Sequence, residues 1–298
     1  MDLAINYSAT VADLVDRGLV HVDRFKCPAW PDLIASLTTG AAGHVPCYVH
    51  FPLLVGTGIG GPISAETNGP PDWDQIERLL EETHTPWVSA HMGPRPEDHP
   101  DLVRLAPDAQ AATVAEALIR DLTPLVNRFG ADRVVGENIF EFFGTHLRPA
   151  MLPDVLCRVV ETTGCGFLLD LSHAQLAARN LDMDARAYIE ALPVGHIREV
   201  HITGIQVFDA FWVERLRARE VDPDYIERIS GHYIDHLPMT DDDWTFLEWA
   251  FDRIRAGAWR EPEIIAFEYG GVGPEFEALT MPEVLEAQVP RLYQMVHA

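Results

Sequence analysis

Nine side chains able to bind a metal cation stand at the ends of short apolar runs in this chain. CYVHFP ends its run at His50, and VSAHMG ends at His91. VVGENIF carries Glu137 followed by Asn138, and LLDLSH carries Asp170 with His173 three residues later. EVHITG carries His201, GHYIDHLPM holds Asp235 and His236, with His232 as an alternative to His236, and IAFEYGG holds Glu268. An unpaired charge at the end of a buried strand carries a desolvation cost that a bound cation offsets. Neutral imidazoles with carboxylates suit zinc, manganese or non-heme iron. No thiolate stands at any of these ends, which argues against a soft-metal or iron–sulfur site. A single strand-end histidine is more often a hydrogen-bonded structural residue; nine such residues together point to a metal cluster.

The elements that must position them follow from the same runs. Strand-length stretches lie at Leu3–Asn6, Val45–Phe51, Trp87–His91, Arg133–Glu137, Gly166–Leu171, Ile197–Ile202 and Glu263–Glu268, with a weaker one at Gly231–His236. Helical patterns fall between them at Asp74–Thr83, Ala109–Phe129, Pro149–Thr162, Asp184–Ala191 and Asp243–Ala256. Alternation of this kind predicts parallel βαβ units. Eight units in 298 residues predict a single (β/α)8 TIM barrel over residues 1–298. In that fold all strand C-termini open on one face, so the nine side chains should converge there. Two connections are expected to border that face: the Gly- and Pro-rich Pro52–Asp72, and Gln206–Ser230, which carries its own helical pattern.

Composition narrows the function. The net charge is -24, and Lys26 is the only lysine. Such a field disfavours nucleic acids and anionic membranes and suits a basic peptide, although solubility alone also accounts for it. No apolar stretch is long enough to cross a bilayer, and the N-terminus does not read as a signal peptide, so a cytoplasmic location is expected. Cys27, Cys47, Cys157 and Cys165 form no C-x-x-C pair and read as reduced packing residues. His21, His44, His84, His99, His146, His196 and His297 read as surface or packing residues, with His99 placed to cap a loop.

The order of the nine residues resembles the xylose-isomerase-like TIM-barrel superfamily. Within it, TGCGFLLDLSHAQLAARNLDMDARAYIEALP followed by VHITG resembles the multinuclear non-heme iron-dependent oxidative enzymes, formerly domain-of-unknown-function family 692. The resemblance covers nearly the whole chain and is most specific over Gly164–Pro193 with His201. It implies two or three iron ions at the barrel mouth and O2 as co-substrate, acting on cysteine or other residues of ribosomally made peptides. It further implies one iron at His50, His91 and Glu137, a second at Asp170, His201 and Glu268, and a third at His173 with Asp235 or His236. One ion would act as a Lewis acid for a substrate thiolate or carboxylate. Asn6, Asn138 and Tyr269 would support the site by hydrogen bonds, and a partner protein would help present a peptide, or the peptide would dock directly. The chain departs from the family at three places. His173 stands where asparagine is frequent. Asp235-His236 replaces Asp-x-His, which leaves His232 open as a ligand. Glu268-Tyr269-Gly270-Gly271 replaces Glu-Arg-Asp beside the expected substrate pocket.

Three other readings use the same residues. A sugar isomerase or epimerase needs fewer ligands and often a catalytic lysine, and Lys26 is expected to lie away from the strand ends. An endonuclease-IV-like hydrolase should carry a basic face, which this composition lacks. A metal-storage or regulatory barrel would need no substrate pocket.

Overall fold

The computed structural model describes residues 1–39 and 45–298; His44 lies outside the described residues. Twelve strands are described: β1 (Asp2–Asn6), β2 (Arg24–Pro28), β3 (Cys47–His50), β4 (Leu53–Val55), β5 (Ile63–Ser64), β6 (Val88–Met92), β7 (Val134–Glu137), β8 (Gly166–Asp170), β9 (Ile197–Ile202), β10 (Gly204–Val207), β11 (Tyr233–Leu237) and β12 (Ile264–Phe267). β12, β1, β2 and β3 pair in parallel, and so do β4, β6, β7, β8, β9 and β12. β3 and β4 are halves of one stave interrupted at Phe51-Pro52, because proline cannot continue a ladder on its N–H side. The ring therefore closes at eight positions, and the chain is a (β/α)8 barrel.

One expected stave, Gly231–His236, lies outside the barrel, and one barrel stave was not expected. The eighth barrel strand is β2, RFKCP, whereas Tyr233–Leu237 pairs antiparallel with β10 in a separate two-stranded sheet. RFKCP is short, holds two cations and lacks a β-branched run, so pattern reading passes over it. The segment around Tyr233 has strand-forming side chains but no parallel neighbour to join.

Side-chain alternation along the staves does the positioning. Residues two apart face the same side of a strand. Tyr48, Val135, Leu168 and Ala266 form a buried layer inside the barrel. Two residues further along the same strands stand His50, Glu137, Asp170 and Glu268, so those side chains crown the layer at the C-terminal mouth. The opposite strand faces, among them Leu3, Ile5, Phe25, Val49, Leu169 and Ile265, pack against the helices in the main core.

Between β10 and β11 the chain builds helices at Ala210–Arg217 and Pro223–Ile229. Phe208, Trp212, Leu216, Ile226 and Ile229 bury a second small core there against Ala278 and Leu279. The expected covering segment Gln206–Ser230 is thus largely helical. It leads into β11, which holds Asp235 and His236.

One carboxylate anchors the glycine-rich part of Pro52–Asp72. Asp121, fully buried, accepts from the backbone N–H of Gly56 at 2.9 Å, Gly58 at 2.8 Å, Gly60 at 2.8 Å and Gly61 at 3.2 Å, and from the Thr57 hydroxyl at 3.0 Å. Gly56 has φ +113°, and a Cβ there would lie 2.9 Å from Pro94, so glycine is required where the loop passes β6. Asp121→Asn places an NH2 against these donors. It is expected to lower stability by roughly 3 kcal/mol, the cost of losing charge-assisted bonds and stranding buried N–H groups. Urea denaturation checks this; an unchanged midpoint would show that the loop is held by other means.

Candidate metal centre

Glu137 is the hub. It ends β7, is 1 % exposed, and faces two sets of ligands with its two oxygens. Oε2 lies 3.4 Å from His50 Nε2 and 3.3 Å from His91 Nε2. Oε1 lies 3.5 Å from His201 Nδ1 and 3.6 Å from His173 Nδ1. His201 Nδ1 also faces Glu268 Oε1 at 3.1 Å and Asp170 Oδ2 at 3.9 Å. On the outer side His173 Nε2 is 3.1 Å from Asp235 Oδ2, which lies 3.8 Å from His236 Nε2. His50, His91 and Glu137 form one potential metal-ligand group, and Glu137, Asp170 and His201 form another.

Local structure aims each ligand. Asp170 ends β8 and is also the N-cap of the helix Leu171–Asn180, where its Oδ1 accepts from His173 N at 2.7 Å. That bond occupies one oxygen and leaves Oδ2 for the cluster. Asn138 clamps the same residue, donating to Asp170 O at 3.0 Å and accepting from Asp170 N at 2.9 Å. Each histidine has its other nitrogen engaged, which fixes the ring. His50 Nδ1 meets Ser89 Oγ at 3.2 Å, and His91 Nδ1 meets Leu53 O at 3.3 Å. His173 Nδ1 meets Asn138 O at 3.0 Å, and His236 Nδ1 meets Glu268 O at 2.7 Å. His201 Nε2 meets Glu199 Oε1 at 2.9 Å.

Glu199 is a functional residue that sequence reading missed. It is buried beneath His201, and its two oxygens also accept from Tyr48 Oη and Trp87 Nε1, each at 2.6 Å. The available signal was its place two residues before His201 on the same strand face. Lys26 requires a correction. Far from lying outside the site, it points into the barrel from β2, is buried, and forms an ion pair with Glu268. The lysine criterion therefore no longer sets the isomerase reading apart, and the distinction rests on the number of ligands.

The remaining expected residues separate clearly. His236 lines the cavity beside the cluster, whereas exposed His232 stacks edge-on against Phe143 elsewhere on the surface. Asn6 donates to Gly270 O at 3.1 Å on the cavity wall. Tyr269 is buried and does not line the cavity; its hydroxyl donates to Leu279 O at 2.7 Å and accepts from Met281 N at 3.1 Å. Its placement is that of a strut for the segment after β12. The next residue, Gly270, has φ +70° and abuts the Thr280 side chain, leaving no room for a Cβ. His99 Nε2 meets Gly56 O at 2.6 Å and so does hold the Pro52–Asp72 loop. His297 pairs with Asp23 at 3.2 Å.

Three buried polar atoms in the cluster have no hydrogen-bond partner: Glu137 Oε2, Asp170 Oδ2 and His201 Nδ1. Orphaned buried donors and acceptors are costly, and here they converge. Several carboxylates share the mouth with Lys26 as the one buried ammonium. Burial lifts the Asp170 carboxyl to about 7, even against the pull of His173. Burial acts to raise Glu137 too, but the imidazoles of His91, His201 and His50 outweigh it and hold the carboxyl below its usual range. Burial acts to lower His201, and the Glu268 carboxylate overrides it, holding the ring at about 10. Protons on imidazoles thus stand where cations fit. Metal uptake near neutral pH should displace them, so binding should release protons and tighten as pH rises. A weakly buffered titration with a pH indicator checks this; uptake with no proton release would contradict it.

The fold and this cluster define a (β/α)8 barrel with a buried multi-histidine, multi-carboxylate mouth. The family described as "RiPP precursor modification enzyme MbnB/TglH/ChrH" matches residues 42–253, and the chain belongs to it. A UPF0276 protein of Bordetella pertussis is 40% identical over 63 residues, covering 21% of each chain. A UPF0276 protein of Caulobacter vibrioides is 30% identical over 162 residues, covering 49% of this chain and 52% of the relative. The matches thus span about a fifth to about half of these relatives. A xylose isomerase domain containing protein from Salmonella typhimurium superposes with TM-score 0.55 at 16% identity, covering 100% of this chain and 97% of that one. D-psicose 3-epimerase superposes with TM-score 0.53 at 11% identity, covering 99% and 97%. At such identities the likeness concerns the fold alone. No helix among the described residues is long and apolar enough to cross a membrane.

Proposed function

We propose that this chain is a multinuclear non-heme iron-dependent enzyme that uses O2 to oxidise a residue of a ribosomally made peptide. The observation that carries the reading is Glu137, a single buried carboxylate with one oxygen toward His50 and His91 and the other toward His201. A carboxylate so placed would belong to both potential ligand groups. The donor set fits iron: imidazole nitrogens and carboxylate oxygens, with no sulfur. His50, His91 and Glu137 would hold one ion; Glu137, Asp170, His201 and Glu268 a second; His173, Asp235 and His236 a third. Bound iron would supply Lewis acidity and one-electron redox chemistry with O2.

The chain's own part is positional. Asn138 and the helix cap fix Asp170, and Glu199 fixes His201. Lys26 balances Glu268. A cavity of about 390 Å³ opens beside His50, His91 and His236, and Tyr7, Pro28, Trp30, Pro52 and Phe276 wall it largely with apolar surface that limits water around a reacting group. Of the two loops expected to border it, Pro52–Asp72 contributes Pro52, Ala65 and Glu66, while no residue of Gln206–Ser230 lines it.

Elemental analysis of protein purified without oxygen from iron-replete cells tests the reading, together with O2 uptake on adding peptide encoded beside the gene. Two or three irons per chain and peptide-dependent O2 uptake are expected. Stoichiometric zinc in an active, iron-free protein would overturn the oxidative reading, and a lone magnesium or manganese ion would favour a sugar isomerase.

A further inference from the structure

The charges lining the cavity are unevenly committed. Glu137, Glu268, His50, His91, His173 and His236 belong to the cluster, and Lys26 is consumed by Glu268. The remaining lining carboxylate is Glu66, exposed on the Pro52–Asp72 loop, with no ion-pair partner among the described residues. Its one described side-chain partner is the indole of Trp30, whose Nε1 donates to Glu66 Oε1 at 3.4 Å. Trp30 follows β2 directly and is 41 % exposed although it lines the cavity. An indole beside an unpaired carboxylate forms a receptor for an organic cation, since the ring face attracts it electrostatically and the carboxylate pairs with it. Outside the reach of the cluster, an anionic group entering this cavity meets no free lysine or arginine. The chain's charge of -24 steers the same way.

We infer that the peptide carries a lysine or arginine next to the residue that reacts, and that Glu66 and Trp30 receive it at the cavity mouth. The inference rests on the peptide-modifying reading and specifies its substrate: the reacting side chain enters toward His50 and His91 while the neighbouring cation stays at the rim. Both receptor groups are solvent-accessible, so the preference for a basic over an isosteric neutral residue should be about three- to tenfold, the range of exposed cation–π and ion-pair contacts.

Binding tests this without turnover. Metal-loaded full-length protein is immobilised, a random hexapeptide library is applied in dilute salt, and retained peptides are read by mass spectrometry. Wild type should enrich Lys and Arg over the input. Glu66→Gln should lose most of that enrichment, Glu66→Arg should shift it toward acidic peptides, and Trp30→Leu should weaken it. Glu286→Gln, the same charge change on an exposed helix residue far along the chain, should behave as wild type. If wild type shows no basic enrichment, or if Glu66→Gln and Glu286→Gln match, the inference fails. Iron and O2 uptake are measured separately. Glu66-dependent selection by a protein without iron would leave this inference standing and remove the oxidative reading; iron and peptide oxidation without such selection would do the reverse.

Discussion

Glu137→Gln protein is expected to fold, to melt somewhat below metal-free wild type, and to retain less than half the metal that wild type holds. Both oxygens of Glu137 face ligand sets, so one substitution weakens two positions at once. Glutamine keeps one acceptor and turns an NH2 toward the place of a cation. In the metal-free chain, against the effect of burial, the imidazoles of His91, His201 and His50 hold this carboxyl below its usual range, so the same change removes their counter-charge and lowers stability as well. Metal retention is therefore the readout that decides. A purely structural ion-pair hub would show retained metal despite a fall in stability of about 3–5 kcal/mol, the cost of stranding a buried partner charge. Elemental analysis and thermal melting of the same preparation decide between them. His297→Ala is the matched control, since that ring pairs with Asp23 just before β2, at the other end of the barrel; its metal content should equal that of wild type.

Glu199→Gln should lower metal affinity roughly ten- to a hundredfold, the usual effect of removing the carboxylate behind a ligating histidine. The carboxylate holds His201 Nε2 and so leaves Nδ1, otherwise unpartnered, for the cluster. Its charge also makes the imidazole a stronger donor. Because Glu199 accepts from Tyr48 and Trp87 as well, its loss will cost some stability in any case, and stability alone proves nothing. The informative partner is Trp87→Phe, which removes one donor but leaves the Glu199–His201 bond in place. Both variants should be less stable than wild type, and only Glu199→Gln should bind Co²⁺ more weakly in competition with a chelator. Equal Co²⁺ affinity in the two would reduce Glu199 to a packing role.

The candidate site was legible because a charged or imidazole side chain at the end of an apolar run is anomalous in a one-dimensional pattern. His50, His91, Glu137, Asp170, His201 and Glu268 each interrupt a buried strand at its C-terminal end, where a parallel barrel opens. The same logic covers the fold: alternating runs and helices of this spacing close as a (β/α)8 barrel. The stave RFKCP was not legible. Its strand status comes from the neighbours β1 and β3 that pair with it, and its lysine is tolerated inside because Glu268, two staves away in the barrel and 242 residues away in the chain, pairs with it. Tertiary pairing also moved Asp235 and His236 from a supposed barrel strand to a separate antiparallel pair that still reaches the mouth, and separated His236 from His232.

Sequence by itself thus determined which residue types stand at the strand ends and that they share one face, because alternation and chain direction are local properties. Only the tertiary structure decided the rest. It set which oxygen of Glu137 meets which histidine, gave Glu199 and Lys26 their buried partners, turned the Tyr269 hydroxyl toward Leu279, and left Glu66 uncommitted beside Trp30. Those outcomes depend on distances between segments remote in sequence, and the energy of a buried charge is set by what lies within a few ångströms of it.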